Sequence, residues 1–341
     1  MPISQVPFAG ISNPVGFRNA LINGDFSVAQ RGTSFASGAN NDDAYTLDRW
    51  YILSDDNDVI DVTQETSVVP TNQLTAIALD VETTNKKFGI AQIIEQKNCV
   101  GLIGNTVTLS FQAKVSATTK LDNVKCAIVA WSGTADSVTS DIISAWGVEG
   151  TNPTLIADAT YENSPANLNV TTSYAKYVVS AAVDTASTKN IIVFIWSDVT
   201  DTTAGDFLYI TDVQLEPGSQ ASGFEFMPID VNLGRCYRYF QKHFKSNSEA
   251  ILGGFRSTSV VHYPLKFFTT MRTTPSFSVL GLTANDLTDG SNTTVSDATQ
   301  QNAGTCNDTI WLAGTMTSSA GTVGGTAVVY GANGLEVSSE L

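Results

Sequence analysis

The chain has 341 residues, of which 42% are hydrophobic and only 15% are charged, and its formal net charge is −15 at pH 7. A chain of this length and apolar content can bury a sizeable core, in two domains or in one large all-β domain. The acidic balance argues against nucleic acid as a partner, because nucleic-acid affinity rests largely on Lys and Arg side chains that neutralise phosphates.

The first 18 residues contain several prolines and no helical or strand periodicity, which predicts an extended arm that docks on another protein. The residues expected to carry this docking are Pro2, Pro7, Phe8 and Pro14. No basic region followed by an apolar stretch is present, so we expect no signal peptide. The longest strongly apolar run, IIVFIW at 191–196, is too short to span a bilayer, so we expect no membrane insertion.

From Asn19 onward the pattern is one of short strands and polar turns. The segment LINGDFSVAQRG at 21–32 predicts a short strand with a kink at Gly24, and TVTLSFQAKV at 106–115 alternates between apolar and polar residues. Further strands are predicted at 124–131, 175–183, 190–196 and 206–216. Several short strands with polar turns between them are typical of a β-sandwich.

A domain boundary is predicted within EPGSQASGFEFMPID at 216–230, whose prolines and glycines end the last strand of the sandwich. The next segment, DVNLGRCYRYFQKHF, fits both helical and strand spacing, and we favour a short helical turn followed by a strand. Later segments such as TIWLAGTM at 309–316 predict a smaller β-domain. The predicted fold class is therefore all-β, with an extended arm at 1–18, a sandwich at 19–228 and a C-terminal β-domain at 229–341.

Two sets of motifs resemble bacteriophage tail-fibre and related virion proteins. In the N-terminal part, LINGDF followed by QRG and DRWY, then LIGNTVTLSFQAKVS and YITDVQLEPGSQASGFEFMP, resemble the strands of carbohydrate-binding jelly rolls, within which Trp50 is a core residue. In the C-terminal part, LGRCYRYFQK, YPLKFFTTMRTTPSFSVLG and LEVSSEL resemble the β-domain that follows such jelly rolls in phage fibres.

The resemblance implies a virion structural protein, made in the host cytoplasm, that projects from the particle as a tail fibre or related appendage and adheres to host surface polysaccharide. It also implies a homotrimer, whose symmetry would multiply weak sugar contacts, and other virion proteins as partners of the N-terminal arm. One alternative stays open, a capsid or baseplate decoration or adaptor protein with a purely structural role.

Sugar recognition needs exposed aromatic rings beside groups that bond hydroxyls, and the candidates are Trp131, Trp146 and Tyr161, with packing in a core or subunit interface as the alternative for each. Carbohydrate-binding jelly rolls often hold a structural calcium ion, and the resemblance implies Asp25 and Asp212 as its carboxylate ligands. The alternative is turn chemistry around Asp25 and a solvated Asp212. Apart from this calcium, we expect no cofactor.

Catalysis has little support in the sequence. The carboxylates of SDDNDVID at 54–61 are better interpreted as a solvated acidic loop than as a glycosidase pair, and neither histidine lies in an H-E-x-x-H motif. We therefore expect that the protein is not an enzyme, with a glycan depolymerase as the alternative. The four cysteines are far apart in the sequence and predict buried free thiols.

One basic segment, RCYRYFQKHFK at 235–245, stands out in this acidic chain. Three interpretations of its Arg235, Arg238, Lys242 and Lys245 stay open. They bind anionic host glycans, they contact a neighbouring subunit, or they lie on a solvated face and pair with the domain's own acids.

Overall fold

The computed structural model of the protein describes residues 17–185, 187–246, 248–300, 309–319, 321–331 and 334–341. The arm residues Pro2, Pro7, Phe8 and Pro14 lie outside the described residues, as does Cys306. Where the chain is described, strands dominate and the helices are short, and none of these helices has the length and apolar content to cross a membrane. The predicted fold class, an all-β jelly-roll sandwich followed by a smaller β-domain, is confirmed.

The N-terminal region forms a sandwich of two antiparallel sheets. In chain order its elements are β1 (Ser34–Phe35), β2 (Tyr51–Ser54), β3 (Ile60–Glu65), β4 (Ala76–Val81), β5 (Phe88–Ile94), α1 (Gln96–Cys99), β6 (Thr106–Val115), β7 (Val124–Trp131), β8 (Ile143–Ala145), β9 (Thr154–Leu155), β10 (Ala159–Tyr161), β11 (Ala175–Ala182), β12 (Asn190–Ser197) and β13 (Phe207–Pro217). The first sheet has the order β1-β3-β4-β13-β6-β11, and the second has the order β10-β7-β12-β5-β2. Strands β8 and β9 pair separately.

The two sheets enclose the main hydrophobic core. Strand β6 turns its alternate residues, among them Leu109 and Phe111, into this core, as the alternation at 106–115 predicts. Strand β12 lies in the middle of the five-stranded sheet and is buried on both sides. Its Val193 faces the core between the sheets, whereas its Phe194 and Trp196 belong to a second apolar cluster on the outer side of the same sheet.

The predicted strand at 21–32 is wrong. Leu21 and Phe26 are buried, as expected, but the backbone bends where Asn23 and Phe26 adopt φ of 58° and 57°. The Asn23 side chain bonds the backbone of Val28, donating to its carbonyl at 2.9 Å and accepting from its N–H at 2.9 Å, so the segment closes on itself instead of pairing as a strand. A Cβ on Gly24 would lie 2.0 Å from the Val213 carbonyl oxygen, so only glycine fits against β13.

The C-terminal region begins with a helix and then contains a three-stranded sheet and a closed six-stranded barrel. The short helical turn and the strand favoured for 230–244 are confirmed as α2 and β14. In chain order the elements are α2 (Ile229–Cys236), β14 (Phe240–His243), β15 (Ala250–Ser257), β16 (Val260–Lys266), β17 (Ser276–Val279), β18 (Leu282–Asp286), β19 (Asn292–Gln300), β20 (Thr309–Met316), β21 (Thr326–Tyr330) and β22 (Leu335–Ser338). The sheet has the order β14-β22-β17, and the barrel has the order β15-β16-β20-β19-β18-β21.

Helix α2 packs on the sandwich. Cys236, at its end, and the following Tyr239 are buried in the apolar cluster on the outer side of the five-stranded sheet, together with Leu341. Glu340 also lies at this junction, where it forms ion pairs with Arg31 and with the buried Arg49. The predicted domain limits at 18/19 and 228/229 stay predictions.

Candidate ligand-binding cleft

The three aromatic residues predicted to bind sugar lie in or against one apolar cluster on the outer side of the five-stranded sheet. Trp131 and Trp146 are only 9% and 7% exposed, so the expectation that their rings are open to solvent is wrong. Tyr161 is half-buried, and its hydroxyl donates to the Pro153 carbonyl oxygen at 2.8 Å. The two tryptophan rings pack in a core, and their faces are not presented to a ligand.

Trp146 is buried because its segment is held over the sheet by the charged side chain of Lys87, the residue directly before β5. The ammonium of Lys87 donates to the carbonyl oxygens of Val148, at 2.8 Å, and Thr151, at 3.2 Å, and it pairs with the carboxylate of Asp198. Lys125 pairs with the other oxygen of Asp198 at 2.6 Å. The outer side of this sheet is thus closed by a buried charge network.

Asp25 and Asp212, the two carboxylates that the resemblance implies as calcium ligands, both accept hydrogen bonds from protein donors. Asp25 accepts from the Ser27 hydroxyl at 3.0 Å, and Asp212 accepts from the side-chain amides of Gln73 and Gln112 at 2.9 and 2.6 Å. Burial raises the pKa of Asp212, and the negative charge of Asp25 adds to that rise. One buried oxygen of Asp212 has no hydrogen-bond partner. No group of three or more His, Cys, Asp or Glu side chains among the described residues is arranged to hold a metal ion.

The acidic loop at 54–61 is solvated as predicted, with Asp55, Asp56 and Asp58 exposed. Cys99, Cys126 and Cys236 are buried free thiols, in agreement with the prediction for these three. Burial raises the pKa of Cys99 and of Cys126 to about 12, so neither is a reactive thiolate at neutral pH.

A large open cleft lies at the junction of α2 with the sandwich. Its volume is about 1040 Å³, and we call it the α2 cleft. It is lined by residues of 17–22, 97–102, 231–239 and 269–270, together with Pro217. The position of the first segment is fixed by Asn19, whose side-chain amide donates to Val213 at 3.0 Å and whose side-chain oxygen accepts from the backbone N–H of Leu215 at 3.1 Å.

The α2 cleft is basic although the chain is acidic. Its described lining residues include four cationic side chains, Arg18, Lys97, Arg235 and Arg238, and no Asp or Glu. Sequence analysis singled out Arg235 and Arg238 of this set. It missed Arg18 and Lys97, because they lie far away in the chain and only the fold brings them to the same cleft.

One of these cations is neutralised behind the cleft wall. The Arg238 guanidinium donates two hydrogen bonds to Glu95, at 2.9 and 2.7 Å, and the Tyr239 hydroxyl donates a third at 3.0 Å. Burial works to raise the pKa of Glu95, but the bonds from Arg238 and Tyr239, with Lys97 at 3.2 Å, hold that pKa below its ordinary value. Glu95 is therefore ionised and holds Arg238 in place.

Arg235 differs from Arg238, since no carboxylate lies within 4 Å of its guanidinium in the described part of the chain. Its hydrogen bonds go to the Met227 sulfur at 3.2 Å, which is a weak acceptor, and to the Asn19 carbonyl oxygen at a long 3.5 Å. Burial lowers the pKa of Arg235, and Glu225 is among the groups that oppose that effect. The guanidinium stays charged and keeps donor capacity for a ligand.

The remaining two residues of the basic segment do not reach the α2 cleft. Lys242 pairs with Glu336 at 3.6 Å, and the backbone N–H of Lys245 donates to the Glu249 carboxylate at 2.8 Å. For Lys242 the interpretation as a cation paired with the domain's own acid is thus confirmed.

The α2 cleft also offers aromatic and neutral polar groups. The Phe17 ring is 69% exposed, and its centroid lies 5.8 Å from the central carbon of the Arg235 guanidinium. Asn98 and Thr269 add an amide and a hydroxyl to the lining. Aromatic faces beside hydrogen-bonding groups are the combination that sugar rings require.

Comparison with known proteins finds likeness in structure only. No family model matches the chain, and no curated protein matches it. Similar solved structures include the enzymatically active domain of bacteriophage CBA120 tailspike protein 4, with 16% identity over 59% of this chain and 22% of that chain, at a TM-score of 0.34. A putative sugar binding protein from Bacteroides thetaiotaomicron is 16% identical over 59% of this chain and 100% of its own, at 0.36.

A third similar structure, the CBM22-1 xylan-binding domain of Xyn10C from Paenibacillus barcinonensis, is 12% identical over 60% of this chain and 96% of its own, at a TM-score of 0.31. The matched part is about one fifth of the tailspike chain. At these identities and TM-scores, the three likenesses carry no argument about ligand or activity.

Proposed function

We propose that the protein is a virion appendage that adheres to a host surface glycan, and that the α2 cleft is its glycan-binding site. The observation that carries the glycan site is the α2 cleft itself, which combines an exposed aromatic ring, amide and hydroxyl groups and basic side chains in one large concavity. The virion role is supported by the order of the fibre-like motifs along the sequence. Homotrimer formation, virion partners for the arm and synthesis in the host cytoplasm belong to the same proposal.

The α2 cleft can be blocked without disturbing the core. Gly234 lines it, is exposed, and has open space where a Cβ would lie, so Gly234→Trp fills the cleft with a bulky ring. Gly223→Trp is the matched control, because Gly223 is equally exposed with equally open space but does not line the α2 cleft.

The test is saturable binding of the full-length protein to intact cells of the host strain, with extracted surface polysaccharide as competitor. We expect the parent and Gly223→Trp to bind and to be displaced by the polysaccharide, and Gly234→Trp to lose at least tenfold in affinity. Binding by Gly234→Trp at parent strength would show that the glycan site lies elsewhere. Absence of binding by the parent would favour a decoration or adaptor role. Reducing-sugar release from the same polysaccharide would reveal a depolymerase.

A further inference from the structure

We propose that the α2 cleft selects a carboxylate-bearing sugar and that Arg235 is the residue that binds the carboxylate. This inference rests on the proposed glycan-binding function and adds the chemical class of the ligand. It starts from a contrast within the α2 cleft, where Arg238 has its own buried carboxylate and Arg235 has none.

The contrast matters because a guanidinium in a concave, partly desolvated site is stabilised by an anionic partner. Arg235 is half-buried, yet its described hydrogen-bond acceptors are a thioether and one carbonyl oxygen at 3.5 Å. A guanidinium has five N–H donors, so most of its donor capacity is unused. Its planar fork matches the two oxygens of a carboxylate, and such bidentate pairs are among the strongest hydrogen bonds that proteins form.

The other cations of the α2 cleft favour the same ligand charge at longer range. Arg18 is exposed at the rim, and the Lys97 side chain is 58% exposed while it shares Glu95 with Arg238.

Two further carboxylates near the rim are engaged with the protein. Glu225 accepts from the backbone N–H of Asn19 at 2.8 Å, and Glu216 accepts from the Ser222 hydroxyl at 2.7 Å. Neither lines the α2 cleft, so the surface that a ligand meets is positive.

The shape and the neutral lining favour a sugar over a simple anion. A volume of about 1040 Å³ is at the upper end of ligand sites, which suits an oligosaccharide of several rings. The exposed Phe17 ring beside Arg235 can meet the C–H face of a ring whose carboxylate bonds the guanidinium. Asn98 and Thr269 are placed to bond hydroxyls.

The test uses three probes with the full-length protein in isothermal titration calorimetry. The probes are trigalacturonate, its neutral methyl ester, and poly-L-glutamate as a carboxylate polymer without sugar rings. We expect trigalacturonate to bind at least tenfold more tightly than the ester, with an affinity that falls as salt rises, and poly-L-glutamate to bind no better than the ester.

Variants assign the role to Arg235. Arg235→Gln should lose about tenfold to a hundredfold in trigalacturonate affinity, as expected for a charge-assisted hydrogen bond, and should leave the ester unaffected. Arg235→Lys keeps the charge but not the fork and should also lose most of the preference. Arg256→Gln removes the same charge from an exposed position on β15 and should change nothing. Arg18→Gln, at the rim, should mainly weaken the salt dependence of trigalacturonate binding. It is the second variant that tests the charge of the cleft if a change at Arg235 disturbs folding.

Equal binding of acid and ester, unchanged binding by Arg235→Gln, or equal binding of poly-L-glutamate would each overturn the inference. Failure of both sugars to bind would overturn it as well. In that case the cell-binding experiment separates the two proposals. If the parent still binds cells and Gly234→Trp blocks this binding, the α2 cleft stays the proposed glycan site, and only the preference for a carboxylate-bearing sugar is rejected.

Discussion

Replacing Lys87 with methionine should destabilise the sandwich strongly, because it breaks a buried ion pair from one side. The side chains of Lys87 and Asp198 are both 0% exposed. Removing one partner of such a pair typically costs about 3–5 kcal/mol, since a buried charge is left without compensation. Lys125 still pairs with Asp198, so we expect the lower end of this range, about 3 kcal/mol.

The adjacent Lys86 provides a matched control with the same change of charge. It pairs with Asp56 at 3.3 Å on the surface, where the two side chains are 31% and 60% exposed. Exposed pairs of this kind contribute about 0–1 kcal/mol, so Lys86→Met should leave the free energy of unfolding almost unchanged. A double variant, Lys87→Met with Asp198→Asn, should not recover the loss, because it removes the carboxylate with which the buried Lys125 still pairs.

Urea unfolding followed by tryptophan fluorescence measures these differences. Four of the five tryptophans, including Trp146 and Trp196, lie in the sandwich, so the signal reports mainly on that region. Lys87→Met should also shift the emission of the folded protein to the red, because the segment that buries Trp146 loses its donor. A loss no larger than that of Lys86→Met would refute the reasoning that a buried charge network holds this segment closed.

Three further predictions concern other buried polar groups. Burial lowers the pKa of His243 from its ordinary value of 6.5 to about 4, so the folded state binds fewer protons than the unfolded chain between these pH values. The parent should therefore lose about 2.5 kcal/mol relative to His243→Asn when the pH falls from 7 to 4.5, and a pH-independent difference in urea midpoints would contradict this. Glu340→Gln should lower the melting temperature markedly because Arg49, only 2% exposed, loses its carboxylate, at a cost of about 3 kcal/mol. Glu336→Gln, at a weaker pair, is the control, and an equal shift for both would argue against the burial effect. EDTA should leave the melting temperature unchanged because Asp25 and Asp212 bond protein donors, and a fall on chelation would restore the calcium interpretation.

The strands of the sandwich could be predicted from local pattern wherever burial alone decides the structure. The alternation at 106–115 and the apolar run at 124–131 coincide with β6 and β7. The segment LINGDF could not be predicted in this way, since its conformation depends on the Asn23 side chain and on a close approach of Gly24 to β13. The bond of Asn23 to Val28 lies within the predicted strand but does not follow from its apolar and polar pattern, and Val213 is a residue that this local pattern does not contain.

The positions of Trp131 and Trp146 show a similar limit. Trp146 lies in the polar stretch SDIISAWGVEGTNP, which is typical of an exposed loop. It is buried because Lys87, about sixty residues earlier, bonds the carbonyl oxygens of this stretch from beneath. A lysine and an aspartate that pair at 0% exposure cannot be distinguished in the sequence from the solvated ones around them.

The burial of those tryptophans also bears on where a ligand can bind. Helix α2 closes part of the outer side of the five-stranded sheet through Cys236, and the same helix presents Gly234 and Arg235 to the α2 cleft. One of the elements that cover this sheet face is therefore also an element that builds a wall of the α2 cleft. A sandwich without the C-terminal region would lack Arg235, Arg238 and Tyr239, and with them two of the four cationic side chains of the cleft. It follows that glycan adhesion, as proposed, is a property of the junction between the two regions, and that the sandwich does not carry it alone.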